Sequence, residues 1–153
     1  MRTHLLSQVT IAAACALAVP VAHANAAAPL VPDPCTLLTP AQINSVAGLA
    51  VAAGKPIIAG KSCQWIAPAP KHGVTTLDFW PAESWAKMKA NWAAASQTVS
   101  GAGDEAFYVN AGTYGALSVK KGTAVFILKV YGIAPDKQVA ILKTLANDVI
   151  ANL

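Results

Sequence analysis

The side chains in this sequence that could do chemistry are a histidine, one pair of adjacent carboxylates and a set of tryptophans. A nucleophile needs a base, and a base needs an orienting partner. His72 is the one histidine beyond residue 24, and it stands between Lys71 and Gly73 next to a proline-rich stretch. No Gly-x-Ser-x-Gly elbow occurs, so the sequence argues against a triad hydrolase. Asp104 and Glu105 are adjacent carboxylates, and such pairs can divide acid and base duties when their environments differ. Neighbours on a strand face opposite sides, however, so these two would not converge on one substrate. The run Gly101-Ala102-Gly103-Asp104 reads more simply as a tight turn in which Asp104 accepts from nearby backbone amides. It lacks the third glycine and the preceding strand of a dinucleotide loop.

The tryptophans suggest a ligand groove or a sugar platform. Trp85, Met88 and Trp92 recur at helical spacing, which is the mark of a core-facing stripe. That leaves Trp80, beside Pro81 at a strand-to-helix corner, as the aromatic expected to be exposed. Trp80, Asp104 and His72 are therefore the candidate ligand-binding residues. An enzyme would have to use Asp104, Glu105 or His72. No catalytic residue, metal set or cofactor is assigned.

Cysteine usage points to a compartment. Arg2 and His4 precede an apolar run from Leu5 to Val21, and Ala22-His23-Ala24 offers a small-x-small cleavage pattern. Residues 1–24 are thus expected to be an export signal, too short and too weakly apolar for a membrane span. Ala12-Ala13-Ala14-Cys15 faintly matches a lipobox, but Gln8 interrupts the run and leucine is missing at the usual third position upstream, so the cut after Ala24 is favoured over a lipid anchor at Cys15. Cys35 and Cys63 then remain as an even pair in an oxidising compartment, expected to form a disulfide. In the chain-entropy model such a bridge contributes about 3–4 kcal/mol. Two cysteines and His72 do not make a structural zinc set.

The formal net charge is +4, about +3 once Arg2 leaves with the signal, and is read as a solubility feature. Every remaining cation is a lysine, and the lysines are scattered. Without a guanidinium fork, specific nucleic-acid recognition is not expected.

The elements that must hold these residues follow from punctuation and period. Residues 25–34 are expected to be an extended tether, with Pro29, Pro32 and Pro34, ahead of one domain at 35–153. Thr39-Pro40-Ala41-Gln42 is a capping box opening a short helix that Gly48 ends. Residues 49–58 read as irregular, and a strand is expected around Cys63 to Ile66. Residues 74–80 alternate as a half-buried strand, and a second helix is expected from Pro81 to about Ala95. Strands follow at 105–109, 114–120 and 123–131. The last is apolar on nearly both faces, as a mid-sheet strand covered on each side would be. A closing helix begins at Pro135, with Val139, Leu142, Ala146, Val149, Ile150 and Leu153 as its apolar stripe. The expected class is α+β: an antiparallel sheet of about five to six strands, two or three packed helices and one disulfide.

Several landmarks recur in order: Asp33-Pro34-Cys35 with Leu37-Leu38-Thr39-Pro40, then Cys63-Gln64-Trp65, then Gly101-Ala102-Gly103-Asp104-Glu105-Ala106, then 117–122 and the closing helix. Together they resemble a family of small bacterial secreted proteins and lipoproteins of unknown function. The resemblance implies a paired Cys35 and Cys63, a compact α+β fold in the cell envelope and no catalytic residues. Many relatives have a clear lipobox where this chain has only Ala12 to Cys15. The expected function is an exported module, periplasmic or secreted, that binds a small ligand or an envelope protein without catalysis. The alternatives are an envelope enzyme and a purely structural or partner-masking domain.

Overall fold

Two side chains close the first helix as its residue types dictate. Thr39 Oγ1 accepts from the Gln42 amide at 3.2 Å, and Gln42 Oε1 accepts from the Thr39 amide at 2.8 Å. Both donors would otherwise be left open at the start of α1 (Pro40–Ala47), as at any helix N-terminus. The computed structural model describes residues 32–153; the expected signal and most of the expected tether, including Cys15, lie outside them. Within the last part of that tether, Pro34 opens a 3-10 turn (Pro34–Thr36) rather than staying extended. The turn places Cys35 against Cys63, and the two form a disulfide with Cα atoms 5.1 Å apart. This bond fits an oxidising, exported location.

The strands are β1 (Lys55–Ile57), β2 (Ser62–Ala67), β3 (Gly73–Trp80), β4 (Ser96–Thr98), β5 (Glu105–Asn110), β6 (Tyr114–Lys121) and β7 (Ala124–Tyr131). They form one antiparallel sheet in the order β1-β2-β3-β7-β6-β5-β4. Seven strands replace the expected five to six. The additions are the two edges, Lys-Pro-Ile and Ser-Gln-Thr, each three residues long. Neither has an alternating apolar pattern, so only pairing with a neighbour reveals them. β1 lies inside the stretch expected to be irregular. β4 follows a second helix, α2 (Ser84–Trp92), that starts later and stops sooner than the expected span from Pro81 to about Ala95. β7 sits between β3 and β6, the mid-sheet place its two-sided apolar sequence required.

Alternation sorts the strands into two faces. On one, Trp65, Leu77, Leu117, Phe126 and Leu128 form a single core with α1 and the C-terminal helix α3 (Pro135–Ala151). The buried side of α3 is Ile141, Leu142, Leu145, Ala146 and Val149, together with Gln138. That seam is rotated from the expected stripe: Val139 and Ile150 are half-buried and Leu153 is exposed. Gln138 explains the turn of the helix. Its Nε2 donates to the Ile133 carbonyl at 2.8 Å and its Oε1 accepts from the Tyr108 hydroxyl at 2.6 Å, so a polar group can go inside. It lies over Gly115, where any Cβ would collide with the Gln138 amide and the Tyr108 ring. Burial pushes the Tyr108 hydroxyl pKa up.

The opposite face is built in two parts. Trp85 and Met88 of α2 pack on Phe107, Val109 and Val125, with the Trp85 and Phe107 rings 5.4 Å apart. Trp92, expected in the same stripe, is the last residue of α2 and is exposed outside that cluster. On the β2–β3 side the buried residues are instead polar: Ser62, Thr76 and Asp78.

Candidate functional site

The three residues expected to bind ligand do not meet. His72 is exposed in the loop before β3, and Trp80 is that strand's last residue. The strand's length separates them by roughly 23 Å. Trp80 and Asp104 share one end of the sheet. Trp80 pairs with Val125, Val125 with Lys120, and Lys120 with Glu105. Three strand spacings, roughly 14 Å, therefore lie between them. His72 is equally remote from both carboxylates, so the constellation an enzyme would need is not assembled.

Asp104 works as a clamp on the β6–β7 turn. Its Oδ2 accepts from the Gly122 amide at 2.7 Å and its Oδ1 from Lys121 Nζ at 2.8 Å, while its own amide donates to the Lys120 carbonyl. The amide it holds is 18 residues away, across the hairpin, and not in its own turn as the local sequence suggested. Gly103 makes this approach possible: it has φ +64°, and a Cβ would lie 2.5 Å from the Lys120 carbonyl oxygen. The Gly122 amide, then Lys121, hold the Asp104 carboxyl below its ordinary pKa. Glu105 points to the α2 side, where Lys89 lies at 2.8 Å and Lys120 at 3.7 Å. Lys89 chiefly keeps its pKa low as well; the Trp85 indole adds a smaller pull, although its N–H closes no hydrogen bond. Both carboxylates border the larger hollow, about 510 Å³, between α2 and β4–β5. Carboxyls whose pKa is lowered from an already acidic value are poorly matched to acid–base work near neutral pH.

The second hollow, about 280 Å³, lies at the Trp80 end of the polar half-face and is bordered by Ile58, Lys61, Ser62, Asp78, Trp80 and Lys129. Asp78 Oδ2 accepts from Lys129 Nζ at 2.7 Å, and their side chains are only 10 % and 27 % exposed. The pair spans neighbouring strands and joins residues 51 apart in sequence. Asp78 Oδ1 and two of the three Lys129 ammonium protons have no protein partner among the described residues. Beside the pair, the hydroxyl of Thr76 is buried without a hydrogen bond. Trp80 is 47 % exposed at the rim, as its corner position led us to expect, and Ile58 is 68 % exposed opposite. Ile58 and Ala59 both hold left-handed backbone, with φ of 51° and 52°, a region β-branched residues rarely occupy.

Sequence reasoning passed over Asp78 and Lys129. The signal was there: Asp78 falls on the non-core alternation of β3, and Lys129 is the one charge inside an otherwise apolar β7. Among the described residues there is no group of three or more His, Cys, Asp or Glu able to hold a metal, and no helix long and apolar enough to cross a membrane. Compared with protein-family models, with curated proteins and with solved structures, the chain matches none.

Proposed function

We propose that this protein is an exported envelope module, periplasmic or secreted, that binds its ligand without transforming it, and that the Trp80 hollow is its binding site. The observation that carries this reading is the part-buried Asp78–Lys129 pair, joined at 2.7 Å yet left with spare hydrogen-bonding capacity beside a half-exposed tryptophan. A buried ion pair is a weak device for stability, because desolvation offsets most of its attraction. A concave apolar rim around a few convergent polar groups is what small-molecule sites are made of. The enzyme alternative finds less support: Asp104 and Glu105 are each paired with lysine, and His72 is far from both.

The test is native mass spectrometry of the protein recovered from its own envelope without reducing agent, alongside Trp80→Ala. The expected result is an added non-covalent mass that disappears on denaturation and is absent from the variant. A bare mass in both proteins would favour the structural or partner-masking domain. Turnover of an envelope substrate at enzyme-like rates would overturn the reading altogether.

A further inference from the structure

We infer that the Trp80 hollow takes a neutral saccharide, with one sugar ring stacked on Trp80 and its hydroxyls bonded to the Asp78–Lys129 pair; this rests on the reading that the hollow is the binding site. The floor decides the ligand's chemistry by elimination. A purely apolar ligand would strip the remaining water from a part-buried ion pair and leave Asp78 Oδ1 and the free ammonium protons without partners, which is costly. An anionic ligand reaching the free Lys129 protons would set its own charge against the Asp78 carboxylate, which lies 2.7 Å from the same Nζ. A cation meets the same obstacle at Asp78, with Lys129 and Lys61 beside it.

A hydroxyl avoids all three conflicts, because it both donates and accepts. One can donate to Asp78 Oδ1 while a neighbour accepts from Lys129 Nζ, and the pair stays neutral and intact. Several hydroxyls on one rigid ring, with a C–H face left over, describe a sugar. The geometry suits that division. Asp78 and Trp80 are two residues apart on β3, so their side chains share one face about 7 Å apart. A ring lying on the indole therefore presents its edge to the carboxylate. Ile58 adds an apolar side chain to the lining of the hollow. At about 280 Å³ the space lies at the small end of ligand sites, fit for one ring and not for a nucleotide, where such sites begin near roughly 300 Å³.

The experiment is a binding titration of the disulfide-bonded protein, followed by intrinsic fluorescence and calorimetry. The probes are neutral mono- and oligosaccharides, including N-acetylated hexosamines, and vesicles of anionic phospholipid; insoluble envelope polysaccharide is tested by co-sedimentation. Saturable binding of a neutral sugar is expected, with a Kd on the order of a millimolar for one ring. Trp80→Ala should weaken it about tenfold or more with an unchanged melting temperature, since the side chain is half exposed. Lys89→Ala, in the larger hollow, should leave it unchanged. Binding of soluble sugars marks a free saccharide as the ligand, and co-sedimentation alone marks the polymer. No binding of any neutral saccharide overturns the inference. So does attachment to anionic vesicles in their place, or sugar binding that survives Trp80→Ala or is lost in Lys89→Ala. Should the mass carried from the envelope still depend on Trp80 while every sugar fails, the saccharide falls and the binding site stands.

Discussion

Two sets of carboxylates and lysines lie on this sheet, and they do opposite things with the same chemistry. At the β5–β6–β7 end, Asp104 and Glu105 are paired with Lys121 and Lys89 at 2.8 Å, each side chain more than two-fifths exposed. Water screens such pairs, and Asp104 completes its set with a backbone amide. Asp104 holds a hairpin, and Glu105 ties α2 to β5. On β3 and β7, Asp78 and Lys129 meet at 2.7 Å largely out of water, with hydrogen-bonding positions left over. The larger hollow borders the exposed set and the smaller one the part-buried pair. Cavity size alone would therefore point away from the proposed site. What distinguishes a site here is polar capacity that the fold leaves unfilled.

The comparison breaks most directly at Asp78. Asp78→Ala leaves Lys129 charged, partly buried and alone, and should cost about 2–3 kcal/mol in denaturant unfolding. A loss no larger than a surface substitution gives would mean that the pair is effectively solvated. The double variant Asp78→Leu, Lys129→Leu should recover most of that loss, since an apolar pair of similar shape avoids desolvation, yet bind no ligand. If it stays as unstable as the single variant, the pair is structural and the contrast with Asp104 disappears.

A smaller effect of opposite sign is expected at the hollow's rim. Ile58→Gly relieves a left-handed isoleucine and should raise stability by about 0.5–1 kcal/mol while weakening ligand binding. A stability loss would show that the exposed side chain supports the fold.

The weakest effect belongs to the exposed set and is read by pH. Both Asp104 and Glu105 have folded pKa values below the ordinary 3.8 and 4.5. Their contribution to stability is therefore present above those values and lost as pH falls through the lower folded ones. Carboxyl NMR titration should place both below the ordinary range, and Asp104→Asn should flatten the acid limb of the stability curve. An unshifted Asp104 would mean that the Gly122 clamp is absent in solution.

Local signals carried much of the fold. The capping box at Thr39 and the pattern from β5 to α3 are written in neighbouring residues, the Cys35–Cys63 bond follows from cysteine count, and the exposure of Trp80 follows from its place before Pro81. What the sequence hid depends on partners far along the chain. Three-residue edges have no period to detect. Gln138 reads as a wet residue until Tyr108 arrives to bond it. Asp78 and Lys129 look like unrelated surface charges until the β3–β7 register sets them side by side, and Asp104 looks like a local turn residue until Gly122 folds back. The candidate site was legible in one residue, Trp80; its floor was not.

Chain order also constrains when the parts can assemble. The pair at the middle of the sheet, β3 with β7, joins residues as distant as Val74 and Tyr131, because α2 carries the chain from β3 to the far edge before the remaining strands return. Contacts of such separation are slow to form. In a chain made from its N-terminus, β1–β3 emerge first and wait for the last strand. Cys35 and Cys63 both lie in that early segment, 28 residues apart, so oxidation can fasten the waiting half before its partner strand arrives.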